Sequence, residues 1–221
     1  MAPTSDEIVT SVLDRYGQSY SEELGLDLSQ NTPEALFQWL CASLLLSARI
    51  SSNLAMRAAA ALRVAGWTSA QKLAESTWKE RVKVLNAAGY GRFDEKTATM
   101  LGDLASKVLH DYGGDLRALR EVAGKDSAHE RELIIQFKGI GEVGADIFLR
   151  EMQVAWEEVY PFADRRARDV AERFGLPTDA AALATLVEHS LFPVLVAALI
   201  RADLANADPL GSQTEAPGSD A

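Results

Sequence analysis

The chain has 221 residues, 48% of them hydrophobic and 24% charged, with only 7 Pro and 15 Gly. That is the composition of a soluble globular protein with one large helical domain or two smaller ones, not of a disordered or fibrous chain. Its single cysteine, Cys41, excludes a disulfide framework, a Cys-rich zinc site and a cysteine-ligated iron–sulfur cluster. The first residues carry neither a basic segment nor an apolar core, so no secretory signal is expected. The longest apolar run, Leu191 to Ile200, holds ten residues, about half of the ~20 a membrane span needs. A cytoplasmic protein with no membrane partner is the expectation.

The net charge of −10 is unevenly spread. Residues 1–30 hold six acids and one base, and residues 203–221 hold four acids and no base. Those termini account for −9, which leaves residues 31–202 at −1. A near-neutral body can still present a basic face, so bulk acidity does not exclude a polyanionic partner.

Strand signals are scarce and helical ones abundant, which predicts an all-α fold. Ser5 or Asp6 can cap a first helix ending near Gly17, with Ile8, Val9, Val12 and Leu13 on one face. Thr32-Pro33-Glu34 is a cap followed by proline in the first helical turn. The helix it starts is apolar nearly all round through Ala48, so it is expected to be the central core helix. Further helices are predicted at 51–65, 68–75, 77–88, 93–112, 115–122 and 127–137. Another follows Gly141 and runs to about Ala155. Beyond the loop Tyr160-Pro161-Phe162-Ala163, helices are expected at 165–174, 178–188 and 190–206. Residues 207–221, rich in Gly, Pro, Ser and acids, read as a disordered tail. The four tryptophans, Trp39, Trp67, Trp78 and Trp156, are expected in the core. The three histidines have no metal-ligand spacing, and no metal site is expected.

Most of the chemical information lies at Phe137-Lys-Gly-Ile-Gly-Glu-Val-Gly-Ala145. Gly139 and Gly141 permit a tight turn that brings main-chain groups to the surface. Ala145 lets the following helix approach the preceding one. The exposed N–H groups at that helix start suit a phosphate oxygen. The plainer alternative is a helix–turn–helix corner with Gly139 as a C-cap. Downstream, Asp164 in Phe162-Ala-Asp-Arg-Arg-Ala-Arg-Asp-Val170 stands where a helix starts. It reads as an N-cap, or as a carboxylate that both caps and catalyses.

These two segments together resemble the helix-hairpin-helix, Gly/Pro-rich-loop-Asp superfamily of DNA glycosylases, to which endonuclease III belongs. Leu44-Leu-Leu-Ser-Ala-Arg49 is similar to the end of that family's early core helix. Ala88-Gly-Tyr-Gly-Arg-Phe-Asp-Glu-Lys96 is similar to the segment before its next long helix. The likeness spans roughly residues 30–175. It implies a six-helix domain over 30–156, and a second domain made of 1–29 plus 157–206, with the hairpin and Asp164 facing a cleft between them. Double-stranded DNA with a damaged or mispaired base is the implied partner of a monomeric enzyme. One DNA phosphate would rest on the turn formed by Lys138, Gly139, Ile140, Gly141, Val143 and Gly144.

Asp164 would stabilise the cationic sugar and direct water to it. Arg165 and Arg166 would touch the DNA backbone or balance Glu157 and Glu158. Arg49 would fill the gap left by the extruded base, or simply end its helix in solvent. Tyr90, Arg92 and Phe93 would bear on the duplex or serve packing.

Three departures from the family pattern refine this reading. Bifunctional members carry a lysine nucleophile two residues after the second hairpin glycine, and here that position is Val143, which implies hydrolysis without strand cleavage. Lys138 lies before the hairpin and reads as a phosphate contact, while remaining the best lysine for any lyase chemistry. No cysteine follows Cys41, so the family's iron–sulfur cluster is not expected, and a monovalent cation at the hairpin carbonyls is the one ion the resemblance implies. Glu142 suits a helix start but would repel phosphate, which lowers the expected affinity. Ser43 stands where the adenine-removing branch has Glu. The rival reading is a protein that kept the fold and DNA binding but lost the chemistry.

Overall fold

The computed structural model describes residues 3–91 and 93–210. Among them it is helical throughout, with no strand. The helices are α1 (Ser5–Tyr16), α2 (Tyr20–Glu23), α3 (Pro33–Leu46), α4 (Ser52–Val64), α5 (Ala70–Glu75), α6 (Trp78–Ala87), α7 (Asp94–Tyr112), α8 (Leu116–Val122), α9 (Ser127–Ile135), α10 (Glu142–Met152), α11 (Arg165–Arg173), α12 (Ala180–Ala184) and α13 (Phe192–Leu204). Among the described residues no helix is long and apolar enough to cross a membrane. The chain divides into two compact units, residues 21–159 and residues 1–20 with 160–221. Of the tail expected at 207–221, residues 207–210 are placed instead against the rest of the chain, with Ala207 buried in the core and the Leu210 carbonyl accepting from the Ser11 hydroxyl; the rest, from 211 onward, lies outside the described residues.

In the middle unit α3 is the organising helix, packed against α4, α10, α8 and α7. Its start follows from Thr32, whose Oγ1 accepts the Ala35 N–H at 3.3 Å, and from Pro33, which needs no donor in the first turn. Ten of its side chains are buried, as its nearly continuous apolar sequence predicts. Trp39 is fully buried, with its indole N–H donating to the Phe148 carbonyl at 3.1 Å and so tying α3 to α10. Cys41 lies in the same core, where burial pushes its thiol pKa up and keeps it inert. Trp156 is also fully buried, but Trp67 is half-buried and Trp78 is 40% exposed. Trp78 lies over the start of α7, its N–H donating to Thr99 Oγ1 at 3.1 Å, so an indole expected in the core instead clamps two helices at the surface.

Residues 21–29, expected with the N-terminal segment, belong instead to this middle unit. The Arg63 guanidinium donates to the carbonyls of Leu24 and Gly25 at 2.7 and 2.8 Å, and Glu151 accepts the Ser21 N–H at 2.8 Å.

The other unit is built on α13, with α1 and α11 packed along it. Ile8, Val9 and Val12 from α1, Val170 and Ala171 from α11, and Leu195 and Leu199 from α13 form its core. α1 is capped one residue earlier than expected. Thr4 accepts from the Glu7 N–H while Glu7 Oε2 accepts the Thr4 N–H at 2.8 Å, a reciprocal box. α12 is shorter than the predicted 178–188: it ends in i→i−3 bonds from the Thr185 and Leu186 N–H groups, with the Thr185 hydroxyl also donating to the Ala182 carbonyl at 2.7 Å.

Candidate nucleic-acid interface and catalytic carboxylate

α9 and α10 pack together, joined by a turn at residues 136–141. The Ile140 N–H donates to the Phe137 carbonyl at 2.9 Å and closes the turn, and Phe137 and Ile140 anchor it in the core. Gly139 has φ +95°, a conformation L side chains rarely adopt. A Cβ there would also sit 2.5 Å from Met100 Sδ on α7, but that is the end of a flexible side chain that can shift, so the backbone is what demands glycine. Gly141 is extended, with open space around it, and stands at the N-cap of α10 with no side-chain cap. α7 and α13 likewise lack a side-chain cap, whereas α1, α3, α4, α5, α6, α8, α9, α11 and α12 each carry a Ser, Thr or Asp cap. The first N–H groups of α10 therefore receive no side-chain cap from residue 141, and uncapped N–H groups at a helix start suit a phosphate oxygen.

The side chains around this turn sort into supports and surface. Gly144, expected as a DNA contact, is buried. A Cβ there would meet Ile140 Cγ2 at 2.9 Å and Ser47 Cβ at 3.2 Å, so its role is close packing of α10 on the end of α3. Val143 is 63% exposed at the tip. Lys138 is exposed and ion-paired with Asp103 of α7 at 2.8 Å, which offsets its charge. Glu142 is held by Arg131, which also binds Asp146 at 3.0 Å, so the repulsion expected from Glu142 is partly neutralised. Arg49 follows the end of α3 and is exposed. Tyr90 is only 2% exposed, so its ring belongs to the core and is not presented for stacking. Burial raises its hydroxyl pKa, with the Thr97 side chain opposing. Phe93 is half-buried, and Arg92 lies outside the described residues.

Asp164 belongs to the other unit. It caps α11, its Oδ1 accepting the Ala167 N–H at 3.2 Å, and it is only 6% exposed. The capping expectation is therefore met, and the carboxylate is sheltered from bulk water. Of the two arginines after it, Arg165 lies 89% exposed with Asp169 3.7 Å away. Arg166 is committed to Asp203, which it shares with Arg173, each at 2.7 Å. Burial raises the Asp203 pKa, but the two guanidinium groups outweigh it and hold the carboxyl below its ordinary value. Glu158 is bound instead by Arg120 in the middle unit, which removes one of the partners expected for this pair. Sequence reasoning passed over Arg168, exposed and without a partner among the described residues, because no local pattern marks an arginine as unpaired.

No protein-family model and no curated protein sequence matches this chain. Among solved structures it is similar to a trapped endonuclease III–DNA covalent intermediate, an estranged-adenine complex, at 15% identity and a TM-score of 0.46. The alignment covers 73% of this chain and 70% of that one.

Proposed function

We propose that the protein is a monofunctional DNA glycosylase, which hydrolyses the N-glycosidic bond of a damaged or mispaired base in duplex DNA. The observation that carries this reading is the uncapped start of α10 behind the Gly139–Gly141 turn, joined to the sequence pattern that ends on Asp164. A phosphate oxygen held by the α10 amides fixes the register of the duplex without reading its sequence. A nucleotide is then rotated out of the stack, at a cost of about a few kcal/mol that is least for damaged or mispaired bases.

The chemistry assigned to Asp164 follows from charge. As the bond from C1′ to the base nitrogen breaks, the base leaves with the electron pair and the sugar becomes cationic. An ionised carboxylate stabilises that cation, accepts the proton of the water that adds to C1′, and leaves an abasic site. Val143 offers no amine to attack C1′, so the strand stays intact. A monovalent cation at the turn would meet the carbonyls of Lys138, Gly139 and Ile140, since those of Phe137 and Gly141 already accept from Ile140 and Ala145; bound there, it would add positive charge toward the phosphate.

A second reading, a DNA-structure-binding protein without chemistry, is favoured by one observation. Capping α11 is by itself a sufficient reason for an aspartate at 164. A panel of duplexes carrying alkylated purines, deaminated bases or oxidised pyrimidines separates the two. The glycosylase reading predicts strand breaks on at least one lesion only after alkali, and no adduct trapped by borohydride. Binding with no base release from any lesion supports the second reading. Breaks before alkali together with a trapped adduct would instead mean lyase chemistry, with Lys138 the first lysine to replace.

A further inference from the structure

We infer that Arg57 and Lys96 are phosphate contacts that extend the hairpin site along the middle unit, so that this unit grips the duplex backbone at points well beyond the turn. The inference rests on the nucleic-acid reading above and starts from charge sorting. Residues 35–74 contain Arg49, Arg57, Arg63 and Lys72 and no carboxylate, in a chain whose net charge is −10. Arg63 is consumed by the Leu24 and Gly25 carbonyls. Arg49 and Arg57 are exposed, and neither has an ionic or hydrogen-bonded partner among the described residues.

A closed circuit of packing links these cations to the turn. Gly144 of α10 rests on Ser47, two residues before Arg49. Ser51 then caps α4, and Arg57 lies six residues further along, about 9 Å of helix rise. Its guanidinium reaches the Gly89 backbone, where an added Cβ would lie 3.5 Å from Nη2. From Gly89 the chain runs through Tyr90 and Gly91 into α7, whose third residue is Lys96. Lys96 is exposed and unpaired among the described residues, one helical turn before Met100, the residue whose sulfur packs on Gly139.

The carboxylates along this circuit are largely occupied. Asp94 turns to Asn86 at 2.7 Å and to the Glu95 N–H, Asp103 holds Lys138, and Glu142 and Asp146 hold Arg131. Glu95 remains exposed and is rotated about 100° from Lys96 around the α7 axis. Two unpaired cations on separate helices of the unit that carries the turn match a polyanion with several regularly spaced charges better than a single phosphate.

Duplex binding measured by fluorescence anisotropy across a salt series tests this directly. Removing a cation that neutralises one phosphate lowers the magnitude of the log K against log salt slope by about 0.9. Arg57→Gln and Lys96→Gln should each reduce it by about that amount, and the double variant by about twice as much. Both side chains are exposed and unpaired, so folding should be unaffected. Lys83→Gln is the control. Lys83 lines a surface groove with Ala65 at the far end of α4, about 12 Å of helix from Arg57, and its replacement should leave the slope unchanged. A wild-type slope with Arg57→Gln, or an equal reduction with Lys83→Gln, overturns the inference while leaving DNA binding in place. Absence of salt-dependent binding by the wild-type chain overturns the nucleic-acid reading itself, and this inference with it.

Discussion

At the scale of single residues, the two turn glycines do different work and should respond differently to alanine. Gly139 has φ +95°, which alanine rarely adopts, while the Met100 sulfur that a Cβ would meet ends a flexible side chain and can move aside. Gly139→Ala should therefore cost about 1–3 kcal/mol and weaken duplex binding with it. Gly141 has an extended backbone and open space, so Gly141→Ala loses only the modest preference for glycine over alanine at an N-cap, within about 1 kcal/mol. Urea melts of both variants check the ranking, and equal losses would contradict this account of the turn. Much at this scale is legible in the sequence, because caps and turns are local. Thr32-Pro33, Asp164 and the Gly139 turn each carry their reason within four residues. Tyr90 and Trp78 are not legible in that way, because burial depends on which helix lies opposite, and no window of neighbouring residues reports that.

At the scale of elements, α8, α9 and the helical turn Glu157–Val159 meet around a carboxyl pair that no sequence pattern announces. Glu130 of α9 is fully buried, and neither carboxyl oxygen has a protein donor. Beside it Glu158 receives the Arg120 guanidinium at 2.5 and 2.6 Å. Burial above all, then the neighbouring Glu158, pushes the Glu130 pKa up to about 8, with Asp126 adding repulsion and Arg120 opposing it. A carboxylic acid at Glu130 can donate its proton to Glu158. Burial alone would raise the Glu158 pKa, but Arg120 and Glu130 overcome it and hold Glu158 below its ordinary value. α10, also packed on α9, turns Asp146 and Glu142 to the neighbouring Arg131.

The sign of the pH dependence follows from the protons bound in each state. Between the ordinary glutamate value near 4.5 and about 8, folded Glu130 keeps a proton that the unfolded chain has released. Stability should fall as pH rises through that window and level off above it. Glu158 works in the opposite direction below pH 4.5, where its contribution is lost as the pH drops. Glu130→Gln keeps the shape without the ionisation. Its melting temperature should exceed that of the wild type at pH 9 by about 2–4 °C for each kcal/mol recovered. The two proteins should converge near pH 4.5. A wild-type melting temperature that is flat from pH 5 to 8, with no gain in the variant, would contradict the protonated pair.

At the scale of the molecule, periodicity and capping make the all-α class and the core role of α3 readable, since both depend on the repeat of apolar side chains along one helix. Where the chain divides is harder to read. Residues 21–29 join the middle unit through Arg63 and Glu151, contacts 38 to 130 positions distant in sequence. Charge also divides with the chain. From the sequence, residues 1–20 and 160–221 sum to −6 and residues 21–159 to −4, yet the acid-free stretch 35–74 lies in the middle unit. The proposed phosphate contacts therefore gather there, while the proposed catalytic carboxylate belongs to the other unit.

Asp164→Asn distinguishes a carboxylate that performs chemistry from one that only caps a helix, because asparagine caps about as well as aspartate. Base release from the preferred lesion duplex should be measured for both proteins, alongside melting temperature and duplex affinity. If Asp164 acts on the sugar, the variant keeps its melting temperature and its binding but releases base at least about 100-fold more slowly, the lower end of what a positioned acid–base group contributes. Release at the wild-type rate from the folded variant would leave Asp164 with its cap and nothing more.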